Sequence, residues 1–219
     1  MKTGLASGQT RSDLSHDQQP KINFSLDESQ TEEHDGSFEQ DRYTVVRGVF
    51  DERSMEIYTT YALMLQSNNR FRPLEGRAGF YDLYADPLME SLLLHLQPAL
   101  ERATGLSLLP TYSYLRIYET GAVLTKHTDR PSCEISASLT IGYDASELWP
   151  LWLESNQQSR SVLLRPGDML LYQGRELPHW REGFEGRYWI QAFFHYVDAA
   201  GALTSYKFDG RTRIGAPFK

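Results

Sequence analysis

His127-Thr128-Asp129 sets an imidazole and a carboxylate two residues apart; a second imidazole follows at His179 and a guanidinium at Arg187. On an extended strand, residues i and i+2 project from the same face, so His127 and Asp129 can reach one metal ion together. With His179 delivered from a distant strand end, two imidazoles and one carboxylate hold a divalent ion on one side and leave its other side open. That donor set suits non-haem Fe(II), whose chemistry needs vacant positions for a co-substrate and dioxygen. Arg187, always charged, is then placed to anchor the far end of a dicarboxylate. With six histidines in the chain, an H-x-D pair by itself can arise by chance. The later His and Arg, each in a strand context, carry the weight.

The elements that must position these residues show in the periodicity. Tyr43 to Val46 is a short strand-like run, and Asp51 caps a helix through about Gln66 with Met55, Tyr58, Ala62 and Leu65 on one face. A second helix is punctuated by Asp86 as cap, Pro87 at its first position and Gly105 past its end, with Pro98 expected to kink or split it. From Thr111 the period becomes alternating. Tyr112, Tyr114, Arg116 and Tyr118 share one strand face. Further strands are expected over 134–141, 149–154, 161–164, 169–172 and 188–197, separated by Gly-, Pro- and polar-rich turns such as Pro166-Gly167-Asp168. Helices followed by many short strands predict an α+β protein. Its core is a double-stranded β-helix (a jelly roll, cupin-like), with the N-terminal helices packed against the major sheet.

Composition bounds the rest. The 219 residues are 40% hydrophobic and 12% aromatic, enough for one domain with a sizeable core. Residues 1–40 hold eight acids and three bases, a charge of −5, so residues 41–219 carry only −2 of the net −7. The expected organisation is a mobile acidic tail over 1–40 and one domain over 41–219. Within that domain the helices occupy about 51–104, the jelly roll about 110–198 and a C-terminal extension 199–219. No basic block appears, which argues against nucleic-acid binding. Cys133 is the only cysteine, so neither an intramolecular disulfide nor a thiolate-rich metal site can form. Without an apolar leader or a long apolar run, a cytoplasmic protein free of the membrane is the expectation.

Tyr118-Glu-Thr-Gly121-Ala-Val-Leu124-Thr-Lys-His127-Thr-Asp129 resembles the Y-x-x-G-x-x-x-x-x-H-x-D segment of the 2-oxoglutarate-dependent Fe(II) dioxygenases, in their prolyl-4-hydroxylase-like branch. Arg187-Tyr-Trp-Ile-Gln-Ala-Phe-Phe194 resembles their closing strand, and the likeness covers about residues 110–198. It implies that His127, Asp129 and His179 bind Fe(II), that Arg187 binds the distal carboxylate of 2-oxoglutarate, and that dioxygen is the oxidant. The implied reaction hydroxylates an unactivated C–H bond of a small molecule, amino acid or peptidyl residue as 2-oxoglutarate is decarboxylated to succinate. A carboxylate at Asp129, where halogenases of the superfamily have a small residue, implies oxygen transfer, desaturation or ring formation. The run Cys133-Glu-Ile-Ser-Ala-Ser-Leu-Thr140 departs from the prolyl-hydroxylase pattern, which speaks against a prolyl substrate. The alternative is a non-catalytic cupin-type module that holds a metal or a small acid.

Other residues carry two readings. Tyr118 either hydrogen-bonds 2-oxoglutarate, as the resemblance implies, or is a core tyrosine. Arg116, inward-facing in a barrel, either binds a substrate carboxylate or pairs with an acid such as Glu134, the pairing being favoured. Arg130 and Trp180, next to the ligands in sequence, are candidate substrate contacts, with a solvated loop charge and core packing as the alternatives. Ser136 and Ser138 alternate inward and could line a co-substrate channel. His195 reads as structural, and Cys133 as an oxidation liability more than a ligand.

Overall fold

In a computed structural model of the chain, which describes residues 35–76 and 78–216, the helix ends follow their capping chemistry. A four-residue helix, α1 (Phe38–Asp41), buries Phe38, so the packed body starts before residue 41. Residues 1–34 of the expected tail lie outside the described residues. Helix α2 (Glu52–Ser67) is capped by the Asp51 carboxylate, which accepts from the Ser54 N–H at 2.8 Å. Helix α3 (Pro87–Thr104) starts where Asp86 accepts from the Leu88 and Met89 amides. It ends at Gly105, whose φ of 72° is the left-handed value that glycine adopts without strain. Pro98 does not divide α3, which runs unbroken through it. Leu92, Leu93, Leu96 and Leu100, on both sides of the proline, are buried in one core, and that packing offsets the lost hydrogen bond.

Among the described residues the strands are β1 (Tyr43–Val46), β2 (Arg72–Pro73), β3 (Phe80–Tyr84), β4 (Leu108–Glu119), β5 (Leu124–His127), β6 (Ile135–Asp144), β7 (Leu151–Ser155), β8 (Gln158–Val162), β9 (Met169–Tyr172), β10 (His179–Arg181) and β11 (Tyr188–Asp198). They form a seven-stranded sheet, β1-β9-β6-β11-β4-β3-β2, and a four-stranded sheet, β5-β10-β7-β8, with antiparallel pairing throughout. This is the expected helix-backed double-stranded β-helix. Strands β5 and β10 are short and carry His127, His179 and Arg181 among few apolar residues, and β3 is an aromatic-rich run broken by Asp82, so none of the three shows a clear alternation. Among the described residues no helix is long and apolar enough to cross a membrane.

The major sheet divides its labour by strand parity. Leu115, Ile117, Ala137, Leu139, Ile141, Ile190, Ala192 and Phe194 point outward and form the main core with α2 and α3. The alternate positions of the same strands, Tyr112, Tyr114, Arg116, Tyr118, Ser138, Phe193 and His195, line a cavity between the sheets. Past β11, the chain turns back through a 3₁₀ segment (Thr204–Gly210) against β4. Arg211 then inserts a fully buried guanidinium that bonds both oxygens of Glu90 on α3, at 2.8 and 3.1 Å, and the Thr111 carbonyl at 2.9 Å.

A buried ion is costly when its partner is removed. Glu90→Ala should lower unfolding free energy by about 3–5 kcal/mol in urea titration. A loss below about 1 kcal/mol would mean that the pair is screened as a surface pair is.

Candidate active site

The pairing of β5 with β10 sets His127 opposite His179, and the ring centroids lie 4.3 Å apart. His127 Nδ1 lies 2.8 Å from the Thr125 carbonyl and His179 Nδ1 lies 3.0 Å from the Leu177 carbonyl. A carbonyl only accepts, so each Nδ1 carries the proton and each neutral ring keeps a lone pair on Nε2. Both Nε2 atoms face the Asp129 carboxylate, at 3.8 Å from His127 and 3.6 Å from His179. The ligand atoms of the three residues lie within 4.8 Å of one another, close enough to share one ion.

Asp129 is held from two sides. Its N–H donates to the Gly174 carbonyl at 2.8 Å, and its Oδ2 accepts from the Ser136 hydroxyl at 3.0 Å. Ser136 Oγ also lies 3.0 Å from His195 Nδ1, and with its own proton given to Asp129 it accepts from that nitrogen. His195, read from sequence as structural, thus orients the carboxylate through one hydroxyl. Gly174 supplies space: a Cβ there would lie 2.3 Å from Asp129 Oδ2 and 2.6 Å from Ser136 Oγ. Burial pushes the Asp129 carboxyl up to about 6, against the Ser136 hydrogen bond, the charge that His127 carries only when protonated, and the charges of Arg116 and Arg130. Burial likewise pulls His179 down to about 4. A carboxylate short of positive charge, faced by two unprotonated imidazole nitrogens, fits a divalent cation.

The cavity beside this triad has a volume of about 510 Å³. Arg187 does not reach it. Its side chain is 79% exposed and pairs with Asp144 at 3.2 Å, because the residue precedes β11 at the open end of the sheet. The inward position two residues on belongs to Trp189, which is buried. Three arginines line the cavity, Arg116, Arg130 and Arg181; the last, two residues past His179 on β10, is only 2% exposed. It donates to the Trp149 carbonyl and, at 3.3 Å, to Gln191 Oε1, and lies over the Trp149 and Trp189 rings at 4.6 and 5.3 Å. No carboxylate forms an ion pair with it among the described residues, and burial pulls its pKa down to about 10. Gln191 is itself fixed, accepting from Trp189 Nε1 at 2.7 Å and donating to Ser138 Oγ at 2.9 Å. The parity shared with His179 was a signal for Arg181 in the sequence.

The other candidates fall on both sides of the wall. Tyr118 and Arg116 line the cavity, with 3.5 Å between the Arg116 guanidinium and the Tyr118 hydroxyl. Arg116 is paired as favoured, but with Asp82 on the neighbouring strand, at 2.5 and 2.8 Å. Glu134 instead accepts from the Asp198 N–H. Arg130 lines the mouth and is paired with Asp209. Trp180 is not a cavity residue: its parity turns it to the outer face, stacked on Trp152 with centroids 6.0 Å apart and under the Lys126 ammonium. Cys133 is buried against the Tyr112 hydroxyl at 3.0 Å, and burial together with the Asp129 charge pushes its thiol up to about 12.

No protein-family model and no curated protein matches the chain. Solved structures do. The non-haem α-ketoglutarate-dependent epimerase SnoN from nogalamycin biosynthesis superposes with a TM-score of 0.65 at 16% identity, over 83% of this chain and 90% of that one. SnoN has also been crystallised with Fe³⁺, α-ketoglutarate and nogalamycin RO. The carbocyclase SnoK of the same biosynthesis gives 0.66 at 14% identity, over 81% and 88%. A prolyl-4-hydroxylase from Pseudomonas putida gives 0.61 at 14% identity, over 74% and 96%.

With its thiol buried and neutral, Cys133 should resist iodoacetamide at pH 8 in the native protein and react on unfolding, read by peptide mass. Alkylation of native protein at the rate of a free thiol would contradict its placement. The chain has the fold of the 2-oxoglutarate-dependent non-haem iron enzymes.

Proposed function

We propose that the protein is an Fe(II)- and 2-oxoglutarate-dependent oxygenase acting on a small molecule. One observation carries the reading. On β10, two inward positions in succession present an imidazole aimed at a shared metal position and a buried guanidinium that lacks an acid. Successive inward positions lie about 6.6 Å apart along a strand. That spacing suits a short dicarboxylate whose oxo-acid end faces the metal and whose far carboxylate meets Arg181. The role expected of Arg187 at the last strand thus falls, in this reading, to Arg181 on the strand before it.

His127, Asp129 and His179 would hold the iron, and three protein donors leave room for co-substrate and dioxygen. Fe(II) with 2-oxoglutarate and dioxygen supplies a two-electron oxidant while 2-oxoglutarate becomes succinate and CO₂. The chain's own residues do the positioning. Arg181 neutralises the far carboxylate, and Gln191 and the Trp149 carbonyl hold its fork in place. The Tyr118 hydroxyl and Ser138 lie along the same cavity as further hydrogen-bonding groups. Leu151, Leu124 and Phe193 exclude water beside them. A cavity of about 510 Å³, shared with the co-substrate, is in the range for small-molecule sites. Oxidation of an unactivated C–H bond is the outcome proposed, with hydroxylation as its simplest form.

Anaerobic addition of Fe(II) and 2-oxoglutarate should produce the visible charge-transfer absorption of the chelate, and admission of oxygen should yield succinate. Iron-loaded protein giving neither signal would refute the enzyme reading and leave a metal- or acid-binding module. Arg181→Ala should weaken 2-oxoglutarate binding by roughly 100-fold with iron affinity retained, whereas Arg187→Ala should leave it unchanged. The reverse pattern would return the role to Arg187. Gly174→Ala, by crowding Asp129, should lower metal affinity by about 10–100-fold with the circular dichroism of the wild type.

A further inference from the structure

Beyond the metal and Arg181, the lining of the cavity includes Tyr84, Tyr112, Tyr114, Phe193 and the half-exposed Arg130. Two of these residues already hold a carboxylate. Asp209, from the C-terminal extension, receives both arms of the Arg130 fork at 3.0 and 2.9 Å and the Tyr84 hydroxyl at 2.7 Å. We infer that Arg130 and Tyr84 form a carboxylate cradle for the substrate, that Asp209 occupies it as an internal stand-in, and that the substrate is a small ring-bearing carboxylic acid. The inference rests on the proposed oxygenase reading only in calling the occupant the substrate.

Four features support exchange at this position. The segment that delivers Asp209 is strained: Phe208 and Asp209 are consecutive non-glycine residues at φ 62° and 54°. The cradle does not depend on Asp209 for its shape, because the Arg130 guanidinium stacks over Tyr112 at 4.4 Å and its Nε lies 3.4 Å from the Tyr112 hydroxyl. The Arg130 side chain is 51% exposed while that of Asp209 is 7% exposed, so a solute can approach the cation from outside. Arg211, two residues beyond, is locked to Glu90, which confines any movement to the 3₁₀ segment.

Charge and shape choose the occupant. Among the described residues, Asp129 is the only acid that lines the cavity; Asp82 and Asp209, which contact its lining arginines, are each bound to one, so outside the metal triad no unpaired carboxylate there answers a cationic substrate. Once Asp209 leaves, Arg130 is a planar two-donor fork that matches a carboxylate. The surrounding phenol and phenyl rings favour a flat or cyclic body.

Isothermal titration of the full chain, with and without Ni(II) and 2-oxoglutarate, would compare benzoate, cyclohexanecarboxylate, benzyl alcohol and benzylamine. The two acids should bind and the alcohol and amine should not. Asp209→Asn should tighten benzoate on the order of tenfold by removing the competitor, and Arg130→Ala should abolish its binding. In the wild type, saturating benzoate should speed hydrogen exchange over 204–211, a readout that needs no variant. Weaker or unchanged benzoate binding in Asp209→Asn, equal binding of the amine, or unchanged exchange would overturn the inference. If Arg130→Ala loses 2-oxoglutarate instead, Arg130 belongs to the co-substrate and this inference fails while the oxygenase reading stands. If the wild type binds no 2-oxoglutarate, the oxygenase reading fails, and benzoate binding without it still decides for or against the cradle.

Discussion

Charge placed between two sheets must be answered by charge, and that constraint organises this molecule. Most side chains there are withdrawn from bulk solvent, so an ion without a partner bears much of its desolvation cost. The barrel and its C-terminal cover meet the constraint with paired arginines: Arg116 with Asp82, Arg130 with Asp209, Arg211 with Glu90. Two groups stand outside that scheme. Asp129 is a carboxylate whose ionised form burial opposes, and Arg181 is a guanidinium answered only by neutral oxygens. One calls for a cation and the other for an anion, and they lie along the same cavity. The functional reading follows from these two imbalances.

Strand parity is what allows a polar interior and a stable protein to coexist. Each long strand of the major sheet gives its apolar positions to the helices α2 and α3 and its aromatic and polar positions to the cavity. The outward face is a conventional core of aliphatic and aromatic side chains, and it carries the hydrophobic stabilisation. The inward face can therefore hold histidines, serines and arginines without endangering the fold. On the minor sheet, three residues of β10 show the same division: His179 and Arg181 point in, and Trp180 between them stacks on Trp152 outside.

Hydrogen bonds to the backbone complete the site. The carbonyls of Thr125 and Leu177 choose the tautomer of both imidazoles, and the Gly174 carbonyl and Ser136 hydroxyl choose the direction of Asp129. None of these partners is chemically distinctive. Their contribution is position, which comes from strand register and from one residue small enough to let the chain pass against a carboxylate.

The sequence by itself determined the helix caps at Asp51 and Asp86, the long strands, the double-sheet architecture and the triad His127, Asp129 and His179. For the caps and strands the cause is local, capping groups and a period of two or of 3.6; His127 and Asp129 are linked by their two-residue spacing, whereas His179 joins them through the pairing of β10 with β5. Pro98 did not split α3, because packing on both sides of it outweighed a local preference. Arg187 misled for a related reason. Its alternation was inward, but whether a residue at a strand's first position lies inside the barrel depends on where the sheet ends. Arg116 could be read as paired, yet its partner Asp82 comes from β3, thirty-four residues away, on a strand with little alternation to announce it. Only the tertiary structure decided which arginine keeps an unanswered charge, that His195 acts on Asp129 through Ser136, and that Asp209 returns from the C-terminal extension to Arg130. Burial and pairing across distant strands are properties of the assembled sheets, and no single stretch of chain contains them.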